Sequence, residues 1–139
     1  MRTRSDLNDV FESTDYCVEY HGETITLNLY QPTPVALAEW VNARNGAAPA
    51  WLITAYNPGG DATSEADNRA RQHVLDNVLD RRGVHRLPAV NRDTAGDWPN
   101  EPGWLVAGLE EGMARTVAQR FGQVALVAVD RKRVDLIWS

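Results

Sequence analysis

The chain reads as a single α/β or α+β domain built on one mixed sheet. Three observations predict this. Apolar runs of strand length alternate with segments of helical periodicity. Hairpin signals stand at both ends of the chain, and helices separate the strands between them. At 139 residues and 43% hydrophobic content the chain suits one compact core. The predicted order is ββαβαββαββ with an optional leading helix over residues 5–13, about three helices in all. The domain spans residues 1–139, with 1–14 as a more loosely packed segment.

Tyr16 to Tyr20 and Thr24 to Leu29 are strand-like runs around His21-Gly22-Glu23, a glycine-containing hairpin turn. Thr33-Pro34 supplies an N-cap followed by proline at the first helical position. Val35, Leu37, Trp40 and Val41 give that helix its apolar positions, and Asn45-Gly46 ends it. Trp51 to Ala55 is a short apolar central strand. The longest helix runs over 64–82 and stops at Gly83. Val84 to Val90 is strand-like, although Pro88 argues against full pairing on both sides. Asn91 to Gly103 reads as loop and Trp104 to Leu109 as strand. Glu111 to Phe121 is a helix, with Met113, Ala114, Val117, Ala118 and Phe121 on one face. Val124 to Val129 is nearly all apolar, as a strand covered on both faces requires. Arg131 to Arg133 turns the chain into a last strand, Val134 to Trp138.

Composition excludes several function classes. The net charge is -5, and Arg131-Lys132-Arg133 is the only basic run, so no extended nucleic-acid surface is expected. The longest apolar run is far too short to span a bilayer, and no secretory signal follows Met1. The single cysteine, Cys17, cannot form an intrachain disulfide and reads as a packing residue, which favours a cytoplasmic location. His21, His73 and His85 have no metal spacing, so neither a metal nor a cofactor is expected.

The stretch Trp51 to Gln72 carries the strongest site signal. A strand runs into Asn57-Pro58-Gly59-Gly60 and then into a helix start. Projected at 100° per residue, Ala70, Val74, Leu75, Val78 and Leu79 form the apolar stripe of that helix. Glu65, Arg69, Gln72, His73, Asp76 and Asp80 fall on the solvent side. Asp67, Asn68 and Arg71 fall within the stripe or at its edge, a conflict of the kind that functional sites produce. Ser64 and Asp67 also have capping-box spacing, and Arg71 has candidate ion-pair partners in Asp67 and Glu101. Functionally, two glycines before a helix N-terminus let backbone N–H groups approach an anion, with Arg71 as a bidentate donor. Neither a Walker motif nor GxGxxG is present.

A second region runs from Asn91-Arg92-Asp93 to Trp98-Pro99-Asn100-Glu101-Pro102-Gly103-Trp104. It brings an arginine, acids and two tryptophans able to stack on a planar ligand, with Glu101 stiffened between prolines. Glu101 is the one carboxylate nominated as a general base. Gln123, after Phe121-Gly122, points either to a neighbouring loop backbone or into the same cleft as Asn57. No Ser-His-Asp or Cys-His set can be assembled.

These residues resemble a bacterial family, the domain of unknown function 3293. The resemblance rests on Ile53-Thr54-Ala55-Tyr56-Asn57-Pro58, on Glu65 with Asn68-Arg69-Ala70-Arg71-Gln72, on Arg92-Asp93 ahead of Trp98, on Glu101-Pro102 and on Arg120-Phe121-Gly122-Gln123. It extends over about residues 15 to 138 and implies that the two regions share one signature. It implies no activity or ligand.

Three functional readings follow. The first is a cytoplasmic protein binding a small polar or anionic, nucleotide-like molecule through Thr54, Tyr56, Asn57, Asn68, Arg71, Arg92, Glu101 and Gln123. The second is an interaction protein, an inhibitor or immunity-type regulator, with exposed tryptophans as anchors for a protein partner. The third is a hydrolase-like enzyme using Glu101.

Overall fold

A computed structural model describes residues 3–58, 61–96 and 98–139. Helix α1 (Arg4–Glu12) leads into the hairpin β1 (Thr14–Tyr20) and β2 (Glu23–Leu27). Then follow α2 (Val35–Asn45), β3 (Ala50–Ile53), α3 (Glu65–Arg82), β4 (His85–Asp93), β5 (Glu101–Ala107), α4 (Glu111–Arg120), β6 (Ala125–Val129) and β7 (Val134–Trp138). The predicted succession of strands and helices is present. The leading helix is part of it, which makes four helices among the described residues rather than about three.

The seven strands form one sheet in the order β2-β1-β4-β5-β3-β6-β7. Every pairing in it is antiparallel, so the expected mixed sheet is not what forms. The cause is the position of β3. It enters between β5 and β6 and runs against both, whereas a helix between successive strands suggests a parallel crossover.

Alternation along the strands divides the core. Tyr16, Val18, Leu52, Leu105, Val127 and Val129 face one side, where Leu37, Trp40 and Val41 of α2 cover them. Trp51, Ile53, Val106, Leu126 and Ala128 face the other, under Leu75 and Leu79 of α3 and Ala114, Val117 and Ala118 of α4. Strand β6 is thus covered on both faces, as its apolar run demands. Cys17 is buried in β1 as a free thiol. No described helix is long and apolar enough to cross a membrane.

Several local expectations change. Pro34, not Thr33, is the N-cap residue of α2. The Thr33 hydroxyl instead donates to Asp130 C=O at 2.7 Å, tying this loop to the β6–β7 turn. Val35 is left 74% exposed in the first turn, so it is not a core position. The expected loop 91–103 is strand at both ends and shortens to 94–100, because β4 runs on to Asp93 and β5 starts at Glu101. Cross-strand pairing from Leu87↔Leu105 to Asn91↔Glu101 overrides the turn signals of Pro102 and Gly103. Pro88 is tolerated because β1 pairs with β4 only as far as Val18↔Ala89. At Pro88, β4 is locally an edge.

Gly103 has a steric role. A Cβ there would run into the Ile53 carbonyl oxygen and lie 3.2 Å from Thr54 Cβ. The absent side chain lets β5 pass close to β3 where β3 leaves the sheet. Gly103→Ala is expected to cost about 2 kcal/mol by overpacking against backbone. A lowered urea midpoint with an unchanged slope would show it, and an unchanged midpoint would refute the steric argument.

Candidate functional site

Beyond Ile53 the chain leaves the sheet and loses its ladder hydrogen bonds. Buried backbone groups must find partners elsewhere. Side chains supply them, one after another. Gln72 Oε1 accepts from Ala55 N–H at 2.9 Å, and Arg71 Nε donates to Ala55 C=O at 3.3 Å. Thr54 Oγ1 accepts from Tyr56 N–H at 3.1 Å and donates to Pro102 C=O at 2.7 Å. Gln123 Nε2 donates to Tyr56 C=O at 3.0 Å. Asn68 Oδ1 accepts from Asn57 N–H at 2.9 Å.

This explains the polar residues on the inner face of α3. The first half of that helix covers irregular backbone rather than sheet, so its buried face must offer hydrogen bonds instead of methyl groups. The projected stripe is corrected accordingly. Ala70 and Val74 are exposed, and the buried residues are Asn68, Leu75 and Leu79. Gln72 and Asp76, expected on the solvent side, point inward. Asp76 Oδ1 accepts from Trp104 Nε1 at 2.6 Å. Ser64 caps α3 by accepting from Asp67 N–H, and Asp67 itself is exposed.

Asn57 is the hub. Its φ of 49° lies in the left-handed region, which asparagine tolerates better than most residues. Its Oδ1 accepts from Asn68 Nδ2 at 2.9 Å and from Thr63 N–H at 3.1 Å. Its Nδ2 donates to Glu101 Oε2. Asn68 is only 3% exposed and is gripped in turn by Arg71 Nη2 and the Thr63 hydroxyl. The expected approach of backbone N–H groups at Gly59 and Gly60 lies outside the described residues.

Glu101 lines two adjoining cavities beside this hub, an outer and an inner one. The outer part, about 70 Å³, is walled by Leu7, Val10 and Phe11 of α1, by Tyr16, Tyr56 and Trp98, and by the polar groups of Asn57, Asn91, Asp93, Glu101 and Gln123. The inner part, about 40 Å³, runs under Phe11 toward Leu52, Thr54 and Val127 and shares Tyr16, Asn91, Glu101 and Gln123 with the outer one. On this measure a water needs roughly 10–15 Å³. Each part therefore holds more than one solvent-sized group.

The electrostatics centre on one acid. Burial pushes the Glu101 carboxyl above the usual range, against hydrogen bonds from Asn57, Trp98 and Asn91 that favour its charged form. All three donors are neutral. Neither Arg71, for which the sequence suggested an ion pair with it, nor Arg92 pairs with it. Burial also raises the Tyr16 hydroxyl strongly, with Glu101 and Tyr30 adding to the shift.

Glu101 therefore carries a pH signature. Its folded pKa is raised, so its contribution to stability is present at low pH and is lost as pH rises through the folded value. Wild type is expected to lose stability relative to Glu101→Gln on going from acid to neutral pH. Urea titrations of both proteins across that range test this, and a difference that grows in wild type's favour with pH would contradict it.

Of the residues expected to form the site, Thr54, Tyr56, Asn57, Asn68, Arg71, Glu101 and Gln123 fall in one connected network. Tyr56, Asn57, Glu101 and Gln123 line the outer cavity, whereas Asn68 and Arg71 stand behind the hub and line neither part. Arg92 is not in the site. It is exposed, because alternation in β4 turns Asn91 and Asp93 inward and Arg92 the other way. Trp104 is also elsewhere, on the α3 side of the sheet under Arg86, whose guanidinium lies 4.5 Å from the ring centroid.

Sequence reasoning missed Leu7, Val10, Phe11 and Tyr16, and it named Asn91 and Asp93 in the second region without assigning them to the site. The period-two pairing of Asn91 with Asp93 was a usable signal. The contribution of α1 was not, since it depends on Phe11 packing edge-on to Trp138 across the fold.

Residues 53–126 match a family described as proteins of unknown function, DUF3293. No match was found among curated proteins or among solved structures. The matched segment is narrower than the resemblance read from the sequence. It nonetheless contains the strand exit, the polar half of α3, Glu101 and Gln123, while α1 and β1 lie outside it. Because it covers more than half of the chain, the protein belongs to the DUF3293 family.

Proposed function

We propose that this protein binds a small polar molecule in the cavity beneath α1, with Glu101 as the anchoring group. The observation that carries the reading is a carboxylate in a cavity wall, held by neutral donors and positioned by a network that uses six other expected site residues. Such a group accepts hydrogen bonds at a defined point, while Leu7, Val10, Phe11 and Trp98 give the cavity apolar walls.

The ligand chemistry we infer differs from the anion expected at the helix start. Arg71 turns Nε and Nη2 to Ala55, Thr63 and Asn68 and lines neither cavity, and the cavity walls carry Glu101 and Asp93 with no lysine or arginine among the described residues. Donor-bearing ligands fit these walls better than phosphates or carboxylates. A thermal-shift screen of wild type and Glu101→Gln checks the reading. Ligands that raise the melting temperature of wild type alone support it. Equal shifts in both proteins would move the site elsewhere.

A free, buried Cys17 suits a reducing cytoplasm, where we propose this bacterial protein works. Partnership through exposed tryptophans has less support, since none of the described tryptophans is exposed. A hydrolase-like role gains from the raised Glu101 pKa in a cleft. Turnover of p-nitrophenyl phosphate or glycosides by wild type, absent in Glu101→Gln, would favour that role.

A further inference from the structure

We infer that the group seated on Glu101 is a delocalised organic cation, an amidinium or guanidinium carrying an apolar body. This rests on the binding reading above and specifies its ligand. Three features of the cavity point the same way. The first is the charge balance of its walls. Glu101 has no cation within ion-pair distance among the described residues, and Asp93 adds a second carboxylate to the outer wall. A charge left among neutral donors in a desolvated site is costly, and an incoming cation removes that cost.

The second feature is the geometry of the carboxylate. Asn57 Nδ2 and Trp98 Nε1, the latter at 3.2 Å, both bond Oε2, from the hub and from the β4–β5 loop. The carboxylate is thereby fixed in orientation, with Oε1 engaged by neither bond, and a planar, weakly hydrated cation can donate to it at low desolvation cost. The third feature is the aromatic lining. Phe11, Tyr16, Tyr56 and Trp98 surround the outer cavity, and aromatic rings attract weakly hydrated cations. Leu7 and Val10 of α1 complete an apolar wall suited to the rest of the molecule.

A phosphate or carboxylate ligand meets the opposite condition, a Glu101 carboxylate with no cation beside it among the described residues. A neutral amide satisfies the hydrogen bonds and leaves the charge uncompensated.

Three probes of one shape separate these cases: benzamidine, benzamide and benzoate. Binding is followed by NMR on the Trp98 indole N–H, assigned with Trp98→Phe. Benzamidine is expected to shift the Trp98 signal and to bind at least tenfold more tightly than benzamide or benzoate. Its affinity should fall at least tenfold in Glu101→Gln, or in Asp93→Asn should the first variant fail to fold. If benzamide or benzoate binds in the cavity as tightly as benzamidine, the cation inference is overturned while the binding reading stands. The same follows if removing the charge leaves benzamidine affinity unchanged. If none of the three moves the Trp98 signal at millimolar concentration, both fall.

Discussion

Asn68→Ala is expected to destabilise the protein by about 3 kcal/mol, because it orphans several buried groups at once. Asn68 accepts from Asn57 N–H, from the Thr63 hydroxyl and from Arg71, and donates to Asn57 Oδ1. Alanine replaces none of these. Water cannot readily substitute at a position only 3% exposed. A buried donor or acceptor left unmade costs roughly 1–3 kcal/mol, and at least two remain here. Urea denaturation measures the loss. Because Asn57 in turn holds Glu101, the variant should also alter the Glu101 titration, read by carboxyl-carbon NMR. A loss below about 1 kcal/mol with an unmoved Glu101 titration would show that the hub is not coupled as its hydrogen bonds imply.

Trp51→Ala should be more damaging still, at about 4–5 kcal/mol. Trp51 is fully buried in β3, packed beneath α3 and α4, and its indole N–H donates to Leu109 C=O at 3.0 Å. Alanine removes most of the side chain and strands a buried carbonyl. Small domains have only about 5–15 kcal/mol in total, so the variant is expected to be largely unfolded or close to it. Trp51→Phe separates the two contributions, since it keeps an aromatic body and loses the hydrogen bond. It should cost about 1–2 kcal/mol. Equal losses in both variants would mean that the hydrogen bond, not the packing, dominates at this position.

Trp51 and Asn68 mark two stages of one construction. The core holds β3 between β5 and β6, and β3 delivers Thr54 to Asn57 to the end of the sheet. The polar face of α3 then fixes that irregular stretch, and Asn57 fixes Glu101. Most of the polar residues of this segment thus serve, directly or through the strand exit, to hold one carboxylate in place. Arg71 shows the point. It was expected to bind an anion, yet its hydrogen bonds go to the strand exit and the helix start.

Element types and their succession were legible in the chain because each depends on local periodicity and local stop signals. Gly83 ends α3 in a left-handed cap, and the apolar run of β6 needs cover on both faces wherever it lies. The grouping of Thr54, Tyr56, Asn57, Asn68, Arg71, Glu101 and Gln123 was legible too, because polar residues in apolar settings are visible from pattern alone. Strand direction was not, since β3 pairs with strands far away in the chain and periodicity carries no information about partners. Which face of α3 is buried was also undetermined locally. Only the position of the strand exit beneath its first turns makes Gln72 an inward residue and Val74 an outward one. The cavity itself depended on tertiary structure most of all. Its walls come from α1, β1, β4, the start of β5, the strand exit and the start of β6, and its charge follows from which residues the sheet turns toward it. Asn91 and Asp93 face in and Arg92 faces out, a distinction that rests on the pairing register of β4.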